Sequence, residues 1–195
     1  MGDIRVFRNA AQLAALPADT TAVKGDDVVD RDLEDIHDLD SLSVVYLDGC
    51  SNLTDAALVH VARIRKLEEL YVTGDGITDD GLATLSGCRD LVEFGLDAPI
   101  SGEGFRHLEG LPSLAELHLP MCPKLDPANL PILAMLPVLT KLGFYSCRRM
   151  TDGWLDRIAG ITGLRALELR NCPEVSRERI QRLSGEIPGL VVDRT

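Results

Sequence analysis

The chain has 195 residues, 45% of them hydrophobic and 4% aromatic, which is enough for one domain with an aliphatic core. Its formal net charge of -11 argues against a nucleic-acid partner and against anionic membrane surfaces, because both would need clustered lysine and arginine. No apolar run approaches the ~18 residues of a membrane-spanning helix. The composition therefore favours a neutral or basic partner.

The N-terminal segment, MGDIRVFRNA, has no basic stretch followed by an apolar one, so we expect no secretory signal and a cytoplasmic location. The five cysteines of the chain should then be free thiols. Residues 1–17 are interpreted as a capping segment, in which Asn9 begins a helix and Leu13 and Leu16 pack on the first repeat. Arginine is far more common than lysine, which indicates a GC-rich, bacterial genome.

The segment from Asp26 to Asp40 is dense in carboxylates. Leu33, Ile36 and Leu39 keep helical spacing through it, which favours a helix with a solvated acidic face. Two alternatives stay open. Carboxylates are the oxygen ligands that calcium prefers, and the acidic face could dock a basic partner.

From residue 18 onward the chain is built from a repeat. The pattern Leu-x-x-Leu-x-Leu, with Val or Phe at some positions, starts at residues 42, 67, 91, 114, 139 and 164. The steps of 23 to 25 residues between these starts lie within the range of about 20–29 residues that is typical of leucine-rich repeats. With weaker repeats at both ends, residues 18–195 hold about seven repeats in a single domain.

In the second half of each repeat, apolar residues recur every three positions, which predicts a short helix packed on one side. We therefore expect an α/β solenoid, shaped like a horseshoe, with a parallel β-sheet on the concave face and short α-helices on the convex face. Helix starts are predicted where a side chain can cap the backbone, at Thr54, Thr78, Ser101, Asp126, Thr151 and Ser176. Acidic residues that should favour the helix dipole follow three of these caps, namely Asp55, Asp79 and Asp152.

Four segments share a cysteine in the loop between strand and helix: LSVVYLDGCSNLTDAAL, LAELHLPMCPKLDPANL, LTKLGFYSCRRMTDGWL and LRALELRNCPEVSRERI. They resemble the cysteine-containing class of leucine-rich repeats, found in the substrate-recognition halves of F-box proteins and in bacterial solenoids. No F-box-like segment precedes the repeats, so the resemblance implies the fold without ligase activity. The repeats at 67 and 91 depart from the class, with Asp75 and Pro99 in place of the cysteine, and they have the shorter loops.

The cysteines at this repeat position are Cys50, Cys122, Cys147 and Cys172. A metal or redox site is one interpretation, and a buried structural column is the other. The even spacing and the lack of a Cys-x-x-Cys motif favour the structural column. Cys88, near a helix end, is interpreted as a partly buried filler. We expect no metal and no cofactor.

Strand alternation places the residues between the leucines on the concave face. All three tyrosines fall there, and the charges change from acidic in the first repeats to basic at Lys141 and Arg170. Tyrosines surrounded by charge are typical of interface hot spots, and Gly95 and Gly143 should leave space beside them for a partner's side chain. The predicted partner-binding residues are Tyr46, Asp48, Glu69, Tyr71, Glu93, Asp97, Glu116, His118, Lys141, Tyr145, Glu168 and Arg170.

These features predict a non-catalytic protein–protein interaction module whose concave face binds a protein with a basic and apolar surface. A structural or assembly subunit of a larger complex is the alternative interpretation. An enzyme is the third, and the sequence offers no catalytic arrangement for it, since the four histidines fall in different repeats. Replacing Tyr71 with Ala and Glu93 with Lys together is predicted to abolish partner binding.

Overall fold

The leucines that alternate along each repeat meet in one continuous core in the computed structural model, which describes residues 3–195. Across these residues, nine parallel strands lie side by side in chain order. They are β1 (Arg5–Phe7), β2 (Ala22–Gly25), β3 (Val44–Leu47), β4 (Glu69–Thr73), β5 (Glu93–Asp97), β6 (Glu116–Pro120), β7 (Lys141–Tyr145), β8 (Ala166–Arg170) and β9 (Val191–Arg194). The register pairs equivalent positions, such as Leu70 with Phe94, so the predicted solenoid is confirmed.

Each strand except β9 is followed by one or more helical segments that pack on the same side of the sheet as the leucines. The α-helices are α1 (Ala10–Ala14), α2 (Asp55–Val61), α3 (Asp152–Ile158) and α4 (Arg177–Glu186). The 3-10 helices span Asp30–Leu33, Ile36–Asp38, Asp80–Gly87, Glu103–Leu108 and Pro127–Met135. The sequence predicted α-helices throughout, but an apolar spacing of three residues matches the three residues per turn of a 3-10 helix.

The acidic segment forms two short 3-10 helices instead of the single helix predicted for it. Its three apolar residues are buried as expected, namely Leu33, Ile36 and Leu39. The carboxylates are only partly solvated, because Asp30 accepts hydrogen bonds from the backbone N–H (2.9 Å) and the hydroxyl (2.7 Å) of Thr54. Asp32 accepts a hydrogen bond from the backbone N–H of Ala10 at 3.2 Å.

The contact between Asp30 and Thr54 belongs to a set that links successive repeats. Asp55 accepts hydrogen bonds from the backbone N–H (2.8 Å) and hydroxyl (2.7 Å) of Thr78 in the next repeat. Asp152 binds Ser176 in the same way, with both distances at 2.7 Å. The sequence predicted a role for these carboxylates at their own helix, and their contacts show that they also hold the start of the next one.

Asp79 belongs to the same set and accepts hydrogen bonds from three residues of the following loop. It accepts hydrogen bonds from the backbone N–H groups of Ser101, Gly102 and Gly104, at 2.7, 2.9 and 2.8 Å. Burial raises the pKa of this carboxyl, but the three N–H groups outweigh burial and lower the pKa overall. The fold therefore favours the ionised form of Asp79, and this carboxylate holds the turn through the three N–H groups.

The six predicted helix caps have different outcomes. Five of them accept a backbone N–H from the helix that follows, as predicted, although the bonds to Thr78 (3.4 Å) and Ser101 (3.3 Å) are long; the five are Thr54, Thr78, Ser101, Asp126 and Ser176. Thr151 begins α3 without a hydrogen bond from its side chain. After Thr78 and Ser101 the helix begins one residue later than predicted, so that Asp79 and Gly102 occupy the cap position itself.

The cysteine column is buried, and each thiol lies near a backbone carbonyl of the preceding repeat, as at 3.4 Å from Cys147 Sγ to the Leu119 oxygen. The residue before each of these cysteines has a positive φ; these residues are Gly49, Met121, Ser146 and Asn171. The cysteine thus fills the space beneath a left-handed turn, which explains why it occurs only in the longer loops. Burial raises the pKa of Cys122 to about 12, as expected of a structural thiol.

The N-terminal segment adds β1 to the sheet and covers the first repeat with α1. Asn9 caps α1 by accepting the backbone N–H of Gln12 at 3.0 Å, while Leu13 is buried and Leu16 packs against the core. The division at residue 17 stays a prediction. Among residues 3–195, no helix combines the length and the apolar character that crossing a membrane requires.

Candidate functional site

The strand register arranges equivalent residues in columns on the concave face, which is the side of the sheet opposite the helices. The middle column consists of Val6, Lys24, Tyr46, Tyr71, Gly95, His118, Gly143, Glu168 and Asp193. The column two residues earlier includes Glu69, Glu93, Glu116 and Lys141. The column two residues later includes Thr73, Asp97, Pro120, Tyr145 and Arg170. With Asp48 at the end of β3, these columns place the twelve predicted binding residues on one surface.

Four aromatic rings form a continuous row along this face. The ring centroids of Tyr46 and Tyr71 are 5.8 Å apart. Tyr71 stacks on His118 at 5.7 Å, and His118 stacks on Tyr145 at 5.8 Å. The guanidinium of Arg170 lies 5.5 Å from the ring centre of Tyr145 and ends the row. The tyrosines therefore lean along the sheet, towards the histidine, instead of projecting from it.

Two glycines make this row possible. A β-carbon at Gly95 would collide with the ring of Tyr71, which lies across the glycine to reach His118. At Gly143 a β-carbon would lie 2.6 Å from the hydroxyl of Tyr145 and 2.8 Å from Nδ1 of His118. The prediction that these glycines leave space for a partner's side chain is wrong, because the neighbouring rings fill that space.

Each tyrosine hydroxyl donates a hydrogen bond to a glutamate one repeat further along the chain. The pairs are Tyr46 with Glu69 at 2.5 Å, Tyr71 with Glu93, and Tyr145 with Glu168 at 2.6 Å. Burial and these hydrogen bonds raise the pKa of all three phenols above the ordinary value. The rings are therefore fixed at both ends, by stacking and by a charged acceptor.

His118 lies at the centre of the row, with its side chain 3% exposed. Its Nδ1 is 2.7 Å from the hydroxyl of Tyr145. Its Nε2 lies 3.2 Å from Oε1 of Glu93 and 3.5 Å from Oε2 of Glu116, but has no hydrogen-bond partner among the described residues. Burial lowers the pKa of this imidazole, against the opposite effect of Glu93, so the neutral form is favoured.

The two cations of the predicted basic end are paired within the face itself. Lys141 Nζ lies 3.0 Å from Glu116 and 3.2 Å from Glu168. Arg170 lies 3.5 Å from Glu168 and 3.9 Å from Asp193. The positive charges at this end of the face are thus largely neutralised by neighbouring carboxylates. Carboxylates outnumber cations along the middle of the face.

The part of this face that β1 contributes was not predicted from the sequence. Ile4 and Val6 are 41% and 55% exposed there, although both are apolar. A cavity of about 380 Å³ is lined by Ile4, Lys24, Tyr46, Asp48 and Tyr71, and Lys24 pairs with Asp48 at 3.2 Å. The short alternating run ahead of the Asn9 cap was the available signal for this strand.

Comparison with known proteins supports the fold more than a function. No protein-family model matches the chain. A stretch of 160 residues, 77% of the chain, is 25% identical to the Caenorhabditis elegans protein named "Putative RNA-binding protein EEED8.10", of which it covers 22%. The chain therefore corresponds to about a fifth of that protein.

Two solved structures are similar to the chain. An internalin from Listeria monocytogenes superposes with a TM-score of 0.62 and 22% identity, over 94% of this chain and 48% of the internalin. Yeast Rad7, in its complex with Elc1, gives a TM-score of 0.44 and 17% identity, over 96% of this chain and 67% of the other. The likeness to the internalin agrees with the parallel, chain-ordered sheet, and the chain spans about half of that protein.

Proposed function

We propose that this leucine-rich-repeat solenoid is a non-catalytic protein-interaction module whose concave face binds a partner protein. The observation that carries the proposal is the apolar and aromatic surface at the β1 end of the face. Exposed Ile4 lines a cavity with Tyr46, Tyr71 and Asp48, and exposed Val6 lies in the same column as Tyr46, two strands away. An exposed apolar patch with a charged rim is typical of a binding surface.

The fixed rings support the same proposal. Tyr46 and Tyr71 are each held by a hydrogen bond to a glutamate and by contact with the next ring, which is tilted for Tyr46 and stacked for Tyr71. Side chains that are already ordered lose little conformational entropy when a partner binds, so more of the contact energy appears as affinity. The solenoid therefore offers a rigid aromatic platform instead of a flexible one.

The charge of the face determines the kind of partner that we propose. Glu69, Glu93 and Glu116 lie in one column, and a single lysine, Lys141, continues it. This surface would repel phosphates and attract a protein segment that carries lysine or arginine beside an apolar side chain. RNA binding is named for a relative of which this chain covers 22%, and we do not extend it to the chain.

A structural or assembly subunit of a larger complex is the second candidate. The same exposed residues, Ile4 just before β1 and Val6 on it, would then be covered permanently by a neighbouring subunit. A stable stoichiometric complex at high salt would favour this role, since charge steering is screened by salt. A transient, salt-sensitive complex would favour the recognition module.

The test is an affinity pull-down of the tagged chain from its native host, with binding partners read by mass spectrometry. The variant combines Tyr46→Ala with Asp48→Lys, which removes a ring and reverses a charge at the cavity. These positions are preferred to Tyr71 and Glu93, because Tyr71 also stacks on His118 and its substitution would disturb the whole row.

The matched control combines Val59→Ala with Asp90→Lys, at an exposed apolar residue and an exposed aspartate away from the concave face. We expect the partner to be retained by the control and lost by the Tyr46→Ala/Asp48→Lys variant, with unchanged circular dichroism. A partner retained equally by both variants would contradict binding at this end of the face. Recovery of RNA in place of protein would contradict the proposed kind of partner.

A further inference from the structure

We propose that Glu93, Glu116 and His118 form a binding site for a divalent transition-metal ion of the zinc type. One carboxylate oxygen from each glutamate and one imidazole nitrogen lie within 4.8 Å of one another. The three residues come from neighbouring strands, β5 and β6, whose register brings them together on the concave face. This site does not depend on binding of a partner protein at the β1 end.

His118 has an unsatisfied nitrogen that faces the two glutamates. The side chain is 3% exposed, and Nε2 has no hydrogen-bond partner among residues 3–195. A buried polar atom without a partner is costly, so one that points at two carboxylates needs an explanation. A cation between the nitrogen and the oxygens would satisfy all three groups.

The hydrogen bonds of Tyr145 fix the positions of the protons. Its hydroxyl lies 2.6 Å from Oε2 of Glu168 and 2.7 Å from Nδ1 of His118. The hydroxyl has one hydrogen, and the ionised carboxylate can only accept. Tyr145 therefore donates to Glu168 and accepts from Nδ1–H, which leaves a lone pair on Nε2 in the neutral imidazole. That lone pair faces the oxygens of Glu93 and Glu116, and it repels them. Lys141 already lies beside Oε2 of Glu116, but a cation between the nitrogen and both oxygens would remove the repulsion directly.

The two distances from Nε2 of His118 to the glutamate oxygens match the spacing of ligand atoms around a zinc ion. Zinc bonds to imidazole nitrogen and carboxylate oxygen are about 2.0–2.2 Å long, so two ligand atoms at tetrahedral angles are about 3.3 Å apart. The separations from Nε2 of His118 are 3.2 Å to Glu93 and 3.5 Å to Glu116. Both values are close to the edge of such a tetrahedron. Three protein ligands would leave a fourth position open for water or for a partner's side chain.

The surroundings hold all three ligands in place. The ring of His118 is stacked between Tyr71 and Tyr145, and the hydrogen bond from its Nδ1–H is the usual second contact of a histidine that binds metal. Tyr71 donates a hydrogen bond to Glu93, and the ammonium of Lys141 lies 3.0 Å from Oε2 of Glu116.

The donor set also selects the kind of ion. One imidazole with two carboxylates suits zinc and related transition metals, whereas calcium and magnesium prefer oxygen ligands alone. No metal was expected from the sequence, in which the cysteine column, the spacing of the histidines and the acidic segment from Asp26 to Asp40 were the candidate ligand sets. The strand register adds a different arrangement, in which one histidine lies beside the glutamate column.

The experiment is a calorimetric titration of the chelator-treated chain with ZnCl₂, repeated with MgCl₂. The test variants are Glu93→Gln and His118→Gln. The control is Glu69→Gln, because Glu69 also accepts a tyrosine hydroxyl but lies two strands away from the histidine. Glutamine keeps the acceptor for the tyrosine, so each glutamate variant removes a charge with little change in packing. Circular dichroism of every variant checks that the fold is kept.

We expect binding of one zinc ion per chain, weaker binding of magnesium, and an affinity for zinc that falls by about tenfold or more in Glu93→Gln. The Glu69→Gln variant should bind zinc as the natural chain does. Absence of zinc binding by the natural chain, or an equal loss in Glu69→Gln and Glu93→Gln, would overturn the proposal. Detection by nuclear magnetic resonance of a proton on Nε2 of His118 at neutral pH in the metal-free chain would also overturn it.

Discussion

The ring of Tyr71 lies over the α-carbon of Gly95, one strand further along the sheet, where a β-carbon would collide with it. Replacing a strand glycine with alanine normally stabilises a protein by about 0.5–1 kcal/mol. We expect the opposite for Gly95→Ala, a loss of about 1–3 kcal/mol in the free energy of unfolding, because the ring must move. Urea denaturation measures the change.

Gly110→Ala is the control for this prediction, since nothing lies within 4 Å of a β-carbon there. It should leave the free energy of unfolding unchanged or raise it slightly. Equal effects of the two substitutions would show that the ring of Tyr71 does not need the glycine.

A second prediction concerns the tyrosines, all three of which lie on the concave face. Their raised pKa values mean that the folded state holds the phenol proton more tightly than the unfolded state, whose phenols titrate near pH 10. This contribution to stability is present below about pH 10 and is lost as the pH rises further. Ultraviolet absorbance should show little tyrosinate at pH 10 and then a rise that coincides with unfolding. If the tyrosines titrated near pH 10 while the chain stayed folded, the proposed effect of their hydrogen bonds to glutamate would be contradicted.

A third prediction concerns the link between repeats that Asp55 forms with Thr78. Asp55→Ala leaves a backbone N–H and a hydroxyl without their acceptor. We expect the free energy of unfolding to fall by about 1–3 kcal/mol. Asp90→Ala is the matched control, because Asp90 is exposed and makes no side-chain hydrogen bond within residues 3–195. A similar loss in both variants would mean that the link contributes nothing specific.

A fourth prediction rests on the lowered pKa of Asp152, which is caused by the hydrogen bonds from Ser176. A carboxyl with a lowered pKa adds stability above the unfolded value of about 3.9, and this contribution is lost as the pH falls through the folded value. The natural chain should therefore lose stability faster than Asp152→Asn as the pH falls below about 4. Denaturation midpoints across this range measure the difference, and parallel curves would rule the effect out.

The sequence predicted the fold well because its signal is periodic. The leucine pattern determined the strands, the columns of the concave face and the shared surface of Tyr46, Tyr71 and Tyr145. It could not show that these rings lean along the sheet, because that depends on which neighbours are glycine. The sequence also did not predict the contact of His118 with Glu93. These residues belong to different columns on different strands, and the repeat pattern does not show which side chains of two columns meet.

The aspartate links between repeats are not continuous along the solenoid. Asp126 binds the backbone N–H of Ala128 in its own helix, and Thr151 begins α3 without a hydrogen bond from its side chain. In a repeat protein the cooperativity of unfolding depends on the coupling between neighbours, so it is lowest where a coupling is weakest. At this junction the repeats are joined through the pairing of β6 with β7 and the packing of α3, without an aspartate link. A substitution that weakens the pairing of β6 with β7 should therefore uncouple neighbouring repeats more than the same change beside Asp55 or Asp152.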